Sequence, residues 1–407
     1  MATVVTPIAT PAAIAAVQDI LKEVYVTDVL ESQTYDDMVL FDWIEDVTEY
    51  TNSDGLSASV PLKTGRSGGV GSRAIGQRLM PPDHQKVAKA LYHYTHHYAQ
   101  VMVYGPVVAR METDRQACVR EIDFEVTNVL EDLRHMICRQ LHSDGRGNTS
   151  STTIPLGAAN YPIIERGWLY EGQMIDIGTP ANPQLDAGGV QILSITDSVS
   201  APAIVVDNAC VVTVGSTISL YGNRSAGGVS NEMTGLGLIL NPTAALGGLT
   251  PSTSSYWTPV VDANGGTPRA LSIDLMLGVL RKLRQRGSYP DLAHTDLIQE
   301  QEYYNLLAPQ VRFSGDKDLT AGNTEGLSFA KLKVLGDPEA VPGKMRFLKK
   351  GALMKFSGGP IAWKTGNSKG DVLEWKQEYD AFTGMAATYC QLGTNRRKSF
   401  GTLDDLS

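Results

Sequence analysis

Residues 113–145 read TDRQACVREIDFEVTNVLEDLRHMICRQLHSDG. Cys118, Ile122, Val126, Val129, Leu133, Ile137 and Leu141 recur at intervals of three and four, the spacing that gathers apolar side chains on one face of an α-helix. Thr113 and Gln116 form a Thr-x-x-Gln box that can satisfy the free amides of a helix start, and Gly145 marks its stop. At 1.5 Å per residue, about thirty residues give a rod of roughly 45 Å, well above the usual globular length. The spacing therefore predicts a spine around which other elements pack.

Upstream, Leu91 to Val108 is rich in β-formers, with Tyr92, Tyr94, Tyr98, Met102 and Tyr104 at even positions and Leu91, Val101 and Val103 at odd ones. One long strand is predicted. On such a strand His96 faces away from His93 and His97, so the three cannot converge on a metal ion. Ahead of it, Gly55 to Gln85 carries six glycines and three prolines, which permit at most a long, open hairpin. Excursions of that length without their own core are usually functional or disordered. The run Thr64 to Gly71 lacks the Lys-Ser or Lys-Thr that a phosphate-binding P-loop requires.

Charge is distributed unevenly over these segments. Met1 to Asp54 holds eleven acids, among them Asp36, Asp37, Asp42, Glu45 and Asp46, against Lys22 alone. Gly55 to Arg110 holds Lys63, Arg66, Arg73, Arg78, Lys86, Lys89 and Arg110 against Asp83 alone. An acidic arm thus precedes a basic loop. Within the arm, Ile14, Val17, Leu21 and Val24 predict a short amphipathic helix over Pro11 to Leu30, followed by irregular chain.

Downstream, short apolar runs at Gln173 to Ile177, Val190 to Ile195, Ala203 to Val206, Cys210 to Val214 and Ile218 to Tyr221 predict a small β-barrel or sandwich. Thr267 and Pro268 are read as the start of a helix that carries Ile273, Met276, Leu280 and Leu283 on one side and Arg281, Lys282, Arg284 and Arg286 toward its end. A second helix is expected over Asp296 to Leu307, then strands and turns from Leu327 to Tyr389.

The same residues exclude much. The formal net charge of −9 argues against a general nucleic-acid binder. Four scattered cysteines contain no CxxC pair, and no window of 18 apolar residues or basic, secretory-type start is present, so a cytosolic protein without a membrane span is expected. There is no GxSxG nucleophile elbow in a supporting context and no HExxH, so no catalytic residue, cofactor or metal is expected. The basic run Asn395-Arg396-Arg397-Lys398 is read equally as a DNA contact or as structural ion pairing.

In order, the pieces are an acidic arm, a glycine-rich basic loop, a strand, a spine helix, a β insertion, a central α/β region and a strand-rich return. Together with Val60-Pro-Leu-Lys-Thr-Gly-Arg-Ser-Gly-Gly-Val-Gly-Ser-Arg-Ala-Ile-Gly, Val103-Tyr-Gly-Pro-Val-Val, Pro338-Glu-Ala-Val-Pro-Gly-Lys-Met-Arg-Phe-Leu, Tyr379-Asp-Ala-Phe and Asn395-Arg-Arg, this order resembles the HK97-like major capsid proteins of tailed bacteriophages. The resemblance covers the chain apart from Tyr161 to about Gly228. It implies an α+β fold with an N-terminal arm (1–54), an E-loop (55–90), a peripheral domain with the spine helix (91–160), an inserted β domain (161–228), an axial domain (229–326) and a peripheral return (327–407).

It further implies self-assembly into pentamers and hexamers of an icosahedral shell, in a virion built in the host cytoplasm. Lys63, Arg66, Arg73 and Arg78 of the E-loop and Asp36, Asp37, Asp42, Glu45 and Asp46 of the arm are the implied inter-subunit residues. A separate scaffolding protein, a portal, a decoration protein and non-specific contact with packaged DNA are the other implied partners. Some relatives cross-link a loop lysine to a neighbour's asparagine, for which Lys63 and Asn395 are the available pair, although non-covalent locking is expected. An encapsulin-like compartment shell and a minor virion-associated binding protein are the alternative readings.

Overall fold

The structure is a computed structural model. It describes residues 39–52, 55–104, 115–144, 148–151, 160–162, 169–179, 182–196, 203–208, 217–223, 230–307, 328–359, 361–364, 373–376 and 380–407. The arm helix expected over Pro11 to Leu30, Asp36, Asp37, the Thr113 cap, and the run Cys210 to Val214 lie outside the described residues. The chain divides into a larger unit (Met38–His97, His135–Pro360, Thr388–Ser407) and a smaller one (Met1–Asp37, Tyr98–Arg134, Ile361–Ala387). Among the described residues no helix is long and apolar enough to cross a membrane.

The larger unit is built on a six-stranded mixed sheet in the order Val260–Asp262, Gly401–Leu403, Met345–Leu348, Leu292–Thr295, Leu332–Gly336, Ser328–Phe329. Helix Ile273–Gln285 covers it, because Met276, Val279, Leu280 and Leu283 recur at helical spacing and bury against Val260, Phe347 and Leu403. The helix starts later than Thr267-Pro268 predicts. Asp405 Oδ2 accepts from the amides of Asn264 (2.7 Å) and Gly266 (2.9 Å), and the Arg269 amide donates to Asp405 O (2.8 Å). That turn and bridge hold 264–269 in non-helical geometry, so Ser272 becomes the cap, accepting from Leu275 N at 3.3 Å. The following helix, Leu297–Leu307, lies where the sequence places it.

The long helix spans Arg115–His142. Its last turns belong to the larger unit, where Ile137, Cys138 and Leu141 are buried. The returning chain runs tightly against this helix end: Met233 N donates to Gln140 Oε1 (3.0 Å) and Gly237 N to Ser143 O (2.9 Å). A Cβ at Gly235 would collide with the carbonyl oxygens of Gln140 and Ser143, so glycine is required there.

The region read as one strand over Leu91 to Val108 is two strands, Val87–His93 and Thr95–Tyr104; residues 105–108 lie outside the described residues. Tyr94 breaks them, its amide donating to Leu56 O (2.9 Å) and its hydroxyl bonding Thr51 Oγ1 (2.7 Å). Even-numbered residues are buried before the break (Ala90, Tyr92) and odd-numbered ones after it (His97, Val101, Val103). A single alternating period could not describe both halves.

The insertion forms a second six-stranded sheet, antiparallel throughout, in the order Asn148–Ser151, Thr217–Leu220, Met174–Thr179, Asn182–Thr196, Ala203–Val206, Asn160–Pro162. It recruits a strand ahead of Tyr161 and encloses its own core of Leu169, Ile175, Ile177, Val190, Ile192, Ile204, Val206 and Ile218. In the smaller unit, Val101, Val103, Val129 and Trp363 pack together, and Leu373–Lys376 pairs antiparallel with Ala381–Gly384.

Arg397 settles the reading of the basic C-terminal run at that residue, because it is fully buried. Its guanidinium donates to the carbonyl oxygens of Ile239 (2.8 Å), Ala244 (2.9 Å), Leu238 (2.9 Å) and Asn241 (2.5 Å), closing the short helix Leu236–Ile239 and the turn beyond it. Burial brings its pKa down to about 10, which leaves it charged at neutral pH. Arg397→Met would strand those acceptors and is expected to cost about 3 kcal/mol or more, read as a lower urea midpoint at unchanged slope.

Candidate assembly surfaces

The basic loop is mounted on a two-stranded stem. Ser57–Lys63 pairs antiparallel with Val87–His93, from Ser57 opposite His93 to Lys63 opposite Val87. Residues 64–86 form the excursion, closed at its base by Thr64 N to Lys86 O (2.9 Å) and farther out by Ser67 Oγ to Asp83 O (2.7 Å) and Gly68 N to Asp83 Oδ2 (2.8 Å). The amides of Gly68 and His84 hold the Asp83 carboxyl below its ordinary pKa. Lys63, Arg66, Arg73 and Arg78 are all exposed. So are Val70 (83 %), Ile75 (106 %) and Leu79 (79 %), apolar side chains that a self-contained loop would have turned inward.

Of the acidic residues read as partners for this loop, Asp42 is exposed on helix Val39–Trp43. Glu45 and Asp46 follow where the chain joins Leu353–Ser357 as a parallel strand. They already have partners: Glu45 Oε1 lies 3.4 Å from Lys350 Nζ, and Asp46 Oδ1 lies 3.0 Å from Lys355 Nζ. Among the described residues no ion pair joins Arg66, Arg73 or Arg78 to Asp42, Glu45 or Asp46. The structure therefore keeps these described basic and acidic groups apart within one chain.

Sequence reading missed a buried polar cluster at the end of the long helix. His142, His294 and Asp337 are each fully buried. Asp337 Oδ2 stands 3.1 Å from His294 Nε2 and 3.5 Å from His142 Nε2, and the two imidazoles stack at 5.1 Å. Arg346 donates to His142 O (3.2 Å), and Cys138 and Glu339 lie beside His142. Burial brings the His142 pKa down to about 4, partly opposed by Asp337, and lowers that of His294. Burial alone would raise Asp337, but hydrogen bonds from both imidazoles outweigh it and hold the carboxyl well below its ordinary range. Burial pushes the Cys138 thiol up, so it is a poor nucleophile. These residues are separated by up to two hundred positions in the sequence, and no local spacing announces them.

No family model and no curated protein matches the sequence. Solved structures do match. A chain of the cyanophage A-1(L) capsid superposes with a TM-score of 0.59 at 14% identity, over 93% of this chain and 96% of that one. This is the HK97-like capsid fold. A capsid chain of the native GTA particle (12% identity, 98% and 100% coverage, TM-score 0.47) and the SrpI encapsulin of Synechococcus elongatus PCC 7942 (9%, 95% and 95%, 0.44) are more distant.

The three histidines near the stem of the 64–86 excursion are dispersed, though not as one strand would place them. His93 and His96 are exposed and His97 is buried, because the break at Tyr94 reverses the faces. Burial, reinforced by repulsion from His96 and Arg139, brings the His97 pKa down to about 4. A folded-state value below the unfolded one means that stability is complete above about pH 6.5 and is lost as pH falls from there toward 4. The loss attributable to His97 between about pH 7 and pH 5 is roughly 2 kcal/mol. Urea midpoints across that window should fall less steeply in His97→Gln than in the parent protein.

Proposed function

We propose that this chain is a major capsid protein that self-assembles through pentamers and hexamers into the icosahedral shell around a phage genome. The observation that carries the reading is the near-full-length match to a capsid chain. An E-loop that presents Val70, Ile75 and Leu79 among Arg66, Arg73 and Arg78 adds support. A basic surface with bare apolar groups and, among the described residues, no acidic partner from the arm suits a second copy. In this reading the chain works as a structural subunit and not as an enzyme. It acts in the virion after assembly in the host cytoplasm, with scaffolding, portal and decoration proteins as partners.

The proposed inter-subunit contact pairs Lys63, Arg66, Arg73 and Arg78 with the acidic arm of a neighbour. Asp36, Asp37 and Asp42 are its leading candidates, since Glu45 and Asp46 are engaged by Lys350 and Lys355. An exposed pair contributes only about 0 to 1 kcal/mol, so control comes from repetition around the lattice and from the apolar groups the contact covers. Locking is then non-covalent. Electron microscopy of purified protein should show closed shells that boil to monomers in denaturant. Arg66→Glu, Arg73→Glu and Arg78→Glu together should leave the subunit soluble and folded but reduce shells at least tenfold. Normal shell yield from the triple variant would remove the charge-steering idea, and absence of any shell or capsomer from the parent protein would remove the capsid reading. Shells filled by a protein cargo instead of nucleic acid in the source cell would favour the encapsulin alternative.

The β insertion is proposed to be an accessory module carried by the subunit, because its sheet closes around its own core. Replacing residues 161–228 by a short Gly/Ser linker is expected to preserve the cooperative unfolding of the remainder. Loss of folding would show that the insertion is integral to the larger unit.

A further inference from the structure

The cluster around His142 has features that shell assembly does not use. His142 ends the long helix, His294 lies within strand Leu292–Thr295, and Asp337 follows strand Leu332–Gly336, so three separate elements bring donor atoms together. The atoms lie within 4.8 Å of one another. A tetrahedral zinc site with bonds of 2.0 to 2.1 Å has neighbouring ligand atoms about 3.3 Å apart. The two nitrogen to oxygen separations here, 3.1 and 3.5 Å, bracket that spacing.

The donors are also prepared for a ligand. Nδ1 of His142 and Nδ1 of His294 have no hydrogen-bond partner, and His142 Nε2 reaches Asp337 Oδ2 only at 3.5 Å, although both rings are fully buried. Leaving such groups unmet costs about 1 to 3 kcal/mol each. The carboxylate is aimed: Asp337 Oδ1 accepts from Glu339 N (2.9 Å) and the Asp337 amide donates to Thr295 O (2.9 Å), which leaves Oδ2 toward the two imidazoles. His294 is held on both sides, opposite Leu335 in one neighbouring strand and Arg346 in the other. Neutral imidazoles with an ionised carboxylate are the protonation states that a metal takes.

We propose that His142, His294 and Asp337 bind one divalent transition-metal cation, zinc by preference, which fastens the end of the spine helix to the central sheet. Two nitrogens and one oxygen form a borderline donor set that suits zinc or cobalt better than calcium or magnesium, which prefer oxygen alone. Cys138 and Glu339 form a second set with the same His142. The Arg346 guanidinium is the opposing charge. It makes the competing arrangement a purely hydrogen-bonded knot in which Asp337 answers Arg346 and the imidazoles without an ion.

The test uses the untagged full chain, stripped with EDTA, loaded with zinc chloride and passed through a desalting column. One equivalent of zinc per chain and a higher melting temperature than the stripped protein are expected. His294→Gln and Asp337→Asn should each lose the zinc and the shift. Cobalt chloride should give the intense visible bands of a tetrahedral ion. Substoichiometric zinc with no melting shift would overturn the proposal, as would variants that keep the full equivalent. If neither variant folds, the parent protein's cobalt spectrum decides: tetrahedral bands support the site, and only the pale spectrum of hydrated cobalt overturns it. Shell formation is scored separately, so failure here leaves the capsid reading untouched.

Discussion

The hydroxyl of Tyr92 donates to Thr394 O at 2.8 Å and accepts from Thr394 N at 3.2 Å, tying the stem of the 64–86 excursion to the C-terminal strand across three hundred residues of sequence. Its ring lies 5.2 Å from that of Phe356, and Gly393 passes so close that an added Cβ would sit 2.9 Å from Tyr92 Cε1 and 2.5 Å from Phe356 Cε2. Only glycine fits between them. A loop that carries its apolar groups outward cannot stabilise its own base, so the base must be held by the body. The same joint is reinforced where Leu91 N donates to Gly247 O and Gln391 Nε2 to His93 O.

This division of labour explains where the ionic groups lie. Among the described residues the exposed excursion holds arginines with no acid of the arm paired to them, and the buried body holds charges that take backbone or side-chain partners. Arg397 spends its whole fork on four carbonyl oxygens. Arg139 pairs with Glu232, whose Oε1 also accepts from Asn223 Nδ2 (2.7 Å). Truncating one partner of a buried ionic group costs far more than an exposed pair returns.

Much of the fold was legible because it rests on local periodicity. The heptad-like run from Cys118 to Leu141 announced Arg115–His142, and the breaker density of Gly55 to Gln85 announced an excursion on a hairpin stem. What stayed hidden was decided by partners distant in sequence. Asp405, from the far C-terminus, holds Asn264 and Gly266 and so displaces a helix start that Thr267-Pro268 would otherwise supply. Tyr94 turns the chain because Leu56 and Thr51 are there to receive it, and two opposite alternations were read as one strand.

The residues of the proposed contact divide along the same line. Exposure of Lys63, Arg66, Arg73 and Arg78 followed from glycine content and charge, both local properties. That Glu45 and Asp46 are answered by Lys350 and Lys355 required the parallel pairing of Asp46–Val47 with Leu353–Ser357, a contact across three hundred positions. The His142, His294 and Asp337 cluster is the extreme case, because each residue alone has an ordinary sequence context. Where Coulombic and hydrogen-bonding partners come from separate elements, charge counting overstates what a segment offers to a neighbour. In the proposed contact the acidity that remains for a second subunit is smaller than the eleven acids of the first 54 residues imply, which gives the exposed Val70, Ile75 and Leu79 a correspondingly larger share.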